Sequence, residues 1–213
     1  MKKIVTAVLT LSICFAKAYS QTQWGIKAGL NLAQIENAEY FEPGKSRLGL
    51  NGGLLVRFNV NYKFFIQPEA LYSGKGFKFT GRQYNSPGDF YPVTCVSSLH
   101  YLSVPVLAGF RLSERFSFLL GPEASYLIKA TTSYEEGKQN NTPSYKRFDL
   151  ALDFGAVFKL NKRLAFDFRY SRGFHILSGA PTTETQYDLD MYGIYEGSNR
   201  TLQFNLVYLI NAN

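Results

Sequence analysis

The chain has little of what enzymes and disulfide-stapled domains rely on. Its 213 residues include two cysteines, two histidines, two methionines and one tryptophan. His100 and His175 stand in no metal-ligand or nucleophile spacing, and His100 beside Ser97 and Ser98 is too common a grouping to name a triad. The glycine-rich stretch YSGKGFKFTG lacks the Lys-Ser/Thr pair of a phosphate loop and a helix to follow it. Asp188, Asp190 and Glu196 lack the ordered spacing of a calcium loop. No enzyme activity, cofactor or metal is therefore expected.

Residues 1–20, MKKIVTAVLTLSICFAKAYS, read as a secretory signal peptide: a basic start, an apolar run from Ile4 to Ala16, and Ala18 and Ser20 placed for cleavage after Ser20. The run is too short to span a bilayer as a helix. Bulky Ile13 before Cys14 argues against a lipoprotein signal. Removing Lys2, Lys3 and Lys17 lowers the formal charge from +7 to +4, which gives no reason to invoke nucleic acid. Cys95 is then the sole cysteine, so no intrachain disulfide can form. Residues 21–213 suit one domain.

What is abundant is alternation. In FDLALDFGAVFKLNKRLAFDFRY, residues 148–170, two period-two segments flank a short polar link, the signature of a β-hairpin. Phe148, Leu150, Leu152, Phe154 and Phe158 share one face; Asp149, Asp153 and Gly155 share the other. Leu164, Phe166, Phe168 and Tyr170 likewise oppose Asp167 and Arg169. The same pattern recurs in WGIKAGLNLA from Trp24, RLGLNGGLLVRF from Arg47, the strand starting at Phe64, YLSVPVLAGF from Tyr101, FSFLLGPEASYLI from Phe116, and Thr201 to Ile210. Eight strands result, most of about the 9–11 residues that cross a bilayer at barrel tilt. Long and short connections alternate between them.

Such alternation suits a soluble lipocalin-like can or a membrane barrel turned inside out. No Asp, Glu, Lys or Arg falls on the eight apolar faces, where one near the midplane of a bilayer would cost roughly 2–4 kcal/mol. Bulky rings crowd those faces, while Gly, Ala and Ser accompany the charges, as a narrow lumen requires. The sequence thus predicts an all-β, eight-stranded antiparallel up-and-down transmembrane β-barrel, with short periplasmic turns and long extracellular loops, in the cell outer membrane.

The enclosed faces collect Lys27, Arg57, Glu69, Glu123, Asp149, Asp153, Asp167 and Arg169, a luminal polar network because buried charges must be paired. Pairing Phe158 with Leu164 sets Asp153 opposite Arg169; pairing Phe110 with Phe116 sets Ser103 opposite Glu123; pairing Phe58 with Phe64 sets Gly53 opposite Glu69. A slip of two residues preserves the alternation. Pro68, Pro105 and Pro122 are expected at a rim, at a bulge or where a missing amide does no harm.

The segments GIKAGLNLA, FFIQPEALYSGKGF, YLSVPVLAGF, GPEASYLI and FDLALDFGAVFKL resemble, in this order, the outer-membrane β-barrel domain proteins of Bacteroidota. These are often labelled porin-like or named after the accessory barrel of the gliding-type (type IX) secretion system. The family's fourth strand usually carries an acidic residue where Ser103 stands, so Glu123 needs another donor. The resemblance implies an outer-membrane location and a small barrel, and allows an accessory role in secretion or envelope assembly.

An eight-stranded barrel is just wide enough for side chains to fill, which argues against a diffusion pore and for a structural or interaction role. The expected surroundings are outer-membrane lipid and lipopolysaccharide. A protein partner would meet loops 77–98 and 172–199, which hold Phe79, Tyr84, Phe90, Tyr91, Phe174, Tyr187, Met191, Tyr192 and Tyr195.

Overall fold

Nine antiparallel strands make up almost all of the described residues: β1 Thr22–Glu36, β2 Lys45–Asn59, β3 Phe64–Ser86, β4 Asp89–Arg111, β5 Phe116–Tyr134, β6 Gly137–Asn140, β7 Phe148–Lys159, β8 Leu164–Gly173 and β9 Ser198–Leu209. The computed structural model describes residues 22–36, 45–86, 89–134, 137–174 and 197–211, and side chains there except those of 81–90 and 144. The leading segment, His175, the acidic Asp188, Asp190 and Glu196, and Tyr187, Met191, Tyr192 and Tyr195 lie outside the described residues, as do the side chains of Tyr84 and Phe90.

Sequential pairing from β1 to β5, then β7, β8 and β9, closes when β9 pairs with β1. Eight strands therefore form a ring with no free edge, while short β6 adds to the far end of β5. The pleat sends alternate residues in and out. Trp24, Leu50, Phe64, Leu120, Phe154, Phe166 and Phe204 point outward and are exposed, whereas Lys27, Arg57, Glu69, Glu123, Asp153, Asp167 and Arg169 of the same strands are buried. This is the expected orientation, with rings facing lipid and ionisable groups enclosed.

Two apolar layers lie inside. Near the short turns, Leu55, Phe65, Leu107, Leu119, Val157, Ala165, Val207 and Leu209 form one cluster. Phe65 fills the space over Gly109, where an added Cβ would come within 2.1 Å of its ring. At the other end Ile35, Phe77, Leu99, Tyr101, Leu127 and Ala130 form a second, with Phe79 and Tyr145 packed against it. The charged layer lies between them.

Several expectations are corrected. All three short hairpins are paired two residues further on: Phe58 with Ile66, Phe110 with Phe118 and Phe158 with Phe166. Their turns explain the shift. VNYKF, LSERF and LNKRL each close by bonding the first residue's N–H to the fifth residue's carbonyl. Asn61 and Asn161 accept from the two following turn amides at 2.8 Å, and Ser113 accepts from Phe116 at 3.1 Å. Asp153 consequently lies opposite Ser171, Glu123 opposite Pro105 and Glu69 opposite Leu55.

Residues 77–98 are not a loop. β3 and β4 each run 23 residues, about twice what a crossing needs, so their paired ends project beyond the barrel. Between the predicted fifth and sixth strands likewise lie the end of β5, β6 and a 3-10 turn at Thr142–Ser144. Nor do the prolines sit at rims or bulges. The ladder has gaps opposite Pro68 between β2 and β3, opposite Pro105 between β3 and β4, and opposite Pro122 between β4 and β5, and resumes each time in unchanged register. Each proline lacks a donor toward one neighbour only, so the sheet loses bonds locally without shifting.

Candidate functional site: the charged layer of the lumen

All eight residues predicted for the luminal network are buried. Alternation turns Glu69 of β3 and Arg169 of β8 inward from opposite sides of the ring, and their side chains meet across it. Arg169 donates from Nη1 to Glu69 Oε2 at 3.1 Å and from Nη2 to Glu69 Oε1 at 3.0 Å, a two-pronged fork. It also donates to Asp167 Oδ2 at 2.8 Å and, more weakly, to Asp153 Oδ2 at 3.4 Å. Lys27 Nζ from β1 reaches both oxygens of Glu69 at 2.9 Å and Asp167 Oδ2 at 2.5 Å. The two-residue slip therefore leaves Asp153 and Arg169 joined diagonally, with Asp167 and Glu69 as the stronger partners.

Arg57 does not join this cluster directly. It donates to Gln67 Oε1 at 2.7 and 2.9 Å, and Gln67 Nε2 in turn donates to Glu69 Oε1 at 2.6 Å. Its guanidinium lies 4.4 Å from the centroid of the Phe65 ring, which Arg111 also approaches, at 4.8 Å. Asp149 also stands apart, accepting from Asn199 Nδ2 at 2.8 Å. Glu123 finds its donor in Lys75, 2.8 Å away, a residue left out of the predicted set. Ser125 also donates to Glu123 at 2.9 Å and bonds Ser103 at 2.7 Å. Lys75 Nζ lies over the Tyr101 ring at 5.2 Å. The signal for Lys75 was its place two residues beyond Ser73 on the enclosed face.

The interior thus sets Lys27, Arg57, Lys75 and Arg169 against Glu69, Glu123, Asp149, Asp153 and Asp167. Such near-cancellation is what removal from water demands, since an unpaired charge there would cost several kcal/mol. Chemically the layer can bind strands together. Among the described residues no three His, Cys, Asp or Glu side chains are grouped to hold a metal ion. Cys95 is buried. Above the barrel, burial pushes the Tyr145 phenol above its usual range, against the opposing effect of its 3.2 Å hydrogen bond to Ser97.

Residues 16–179 match the family model described as outer membrane protein beta-barrel domain. In sequence the chain matches no curated protein. Its fold is similar to that of Neisserial surface protein A, with a TM-score of 0.53 at 10% identity over 87% of this chain and 96% of that one. It is also similar to Ail, the attachment invasion locus protein of Yersinia pestis, with a TM-score of 0.50 at 16% identity over 89% and 99% of the two chains.

Proposed function

From the premise that this chain belongs to the outer membrane protein beta-barrel domain family, and so resides in the outer membrane, we propose that it is a non-enzymatic anchor. In this reading the barrel holds an extracellular β-structure in place for a protein partner, surrounded by outer-membrane lipid and lipopolysaccharide. The leading residues 1–20 would direct export and be removed, leaving residues 21–213 as the barrel domain.

The observation that carries this reading is the filled lumen. Two apolar clusters bracket a self-paired charged layer, so side chains occupy the space a solute would need. Lys27, Glu69, Asp153, Asp167 and Arg169, with Arg57, Glu123 and Asp149 nearby, serve here as a structural staple. What remains for function is outside: the projecting β3–β4 hairpin, with Tyr91 exposed, and Phe174 at the end of β8, also exposed.

A photo-crosslinker at Tyr91, activated on intact cells, tests the reading. One discrete adduct, absent when the same crosslinker is placed at Lys162 in a short turn, is expected. A barrel that forms no adduct at Tyr91 or Phe174 contradicts it. The family resemblance favours an accessory component of secretion or envelope assembly of the Bacteroidota type as a second reading. Stoichiometric co-purification with secretion machinery after gentle solubilisation would distinguish it.

A further inference from the structure

On the outer wall, β2, β3 and β5 depart from regularity at one height, about ten residues from the short turns. The β2–β3 register shifts between Ser46 and Asn51. Gly76 of β3 has φ +136°, a conformation that L side chains rarely adopt. The β4–β5 register shifts between His100 and Tyr101, so that Ile128 is the extra residue and Lys129 lies opposite His100. Bulges re-aim side chains and tend to occur beside sites.

At the same height, across β1 to β4, lies a cleft of about 260 Å³. Leu30, Leu48, Leu50 and Tyr72 form its apolar wall, and Arg47 and His100 its polar end. Gly49 and Gly74 keep its floor low. Tyr72 and His100 are stacked, with ring centroids 5.9 Å apart, and joined by a 2.5 Å hydrogen bond from the phenol oxygen to Nδ1. Arg47 donates to the carbonyl oxygen of Lys75 at 3.0 Å, which sets its guanidinium over the gap left by the bulge.

The surroundings are cationic. Arg47 lines the cleft with His100, Lys129 of β5 lies directly opposite His100, and Lys138 is exposed on β6, which pairs with β5. Lys45 and Lys78 are direct cross-strand partners, both exposed, and like charges so placed repel. Glu36 is no relief, because it lies on the β1–β9–β8 side and is engaged by Arg200 and Arg172. This patch meets the upper edge of the apolar wall, at headgroup level, where an interfacial Tyr is also expected.

An apolar slot ending in clustered cations complements an amphiphile with an anionic head. We propose that this cleft binds a phosphorylated lipid of the outer leaflet, one acyl chain lying along Leu30, Leu48 and Leu50 and a phosphate held by Arg47, Lys129 and Lys138. The site rests on the outer-membrane location and is independent of any protein partner.

The test is native mass spectrometry of the full chain released from detergent, titrated with bisphosphorylated lipid A, the same lipid stripped of its phosphates, and phosphatidylethanolamine. At least tenfold preference for the bisphosphorylated form is expected. Arg47→Ala combined with Lys129→Ala should lower its retention at least fivefold, Lys138→Ala alone should lower it about twofold, and Lys162→Ala in a short turn should leave it unchanged. Heat-modifiable migration establishes that each variant is folded, and the Lys138 variant leaves both bulges untouched. Equal retention of all three lipids, or of bisphosphorylated lipid A by wild type and the Arg47/Lys129 variant, overturns the site. Loss of the Tyr91 adduct without loss of lipid would instead count against the partner reading alone.

Discussion

Inside the barrel, Lys27 and Arg169 each contact at least two carboxylates; on the outer wall, Lys45 faces Lys78, and Arg47, Lys129 and Lys138 gather around His100. Both regions are built on one sheet, the first from inward-facing and the second from outward-facing side chains. Enclosure compels pairing because a buried charge gives up most of its hydration. At the headgroup level repulsion can persist, screened by salt or offset by an anion from outside. Charges that satisfy one another hold a fold together; charges left in surplus at a fixed place are available for binding.

The comparison breaks most severely at Arg169. Arg169→Leu removes a donor from Glu69, Asp153 and Asp167 together, so a loss on the order of 3–5 kcal/mol is expected, read as a lower urea midpoint for the barrel refolded in detergent micelles. Lys75→Leu should also destabilise it strongly by stranding Glu123, and the double change with Glu123→Leu should recover most of that loss. A double-mutant cycle showing no coupling would mean that the 2.8 Å pair contributes nothing as a pair.

Gly109→Ala probes the apolar layer beneath. Its Cβ would meet the Phe65 ring at 2.1 Å, which predicts about 1–3 kcal/mol of overpacking strain. Asn161→Ala removes the acceptor of two turn amides and should cost about 1 kcal/mol, by the same urea assay. The Arg47/Lys129 variant should come last. It should change stability by less than about 0.5 kcal/mol while losing lipid, the inverse of Arg169→Leu.

The faces were legible in the sequence because a period of two leaves little choice once charges are confined to one side. Strand count in the ring and the inward set from Lys27 to Arg169 followed from the same pattern. Register was not, since a two-residue slip moves no side chain to the other face. The information lay in the turns, where an Asn or Ser second residue and a basic fourth residue recur in VNYKF, LSERF and LNKRL. Residues 77–98 were misread because Gly, Ser and Pro signal a loop locally, whereas long-range pairing carries β3 and β4 through them. The same misreading excluded Lys75, which falls where the predicted crossing ends, and hid the outer cleft, whose Leu30, Leu50, Tyr72 and His100 come together only in the folded ring.

The account depends on a lumen filled by its own side chains, and planar-bilayer recording of the refolded wild-type barrel tests that most directly. It predicts no steady conductance approaching that of an open porin. Stable, long-lived openings of porin magnitude from the monomer would contradict it.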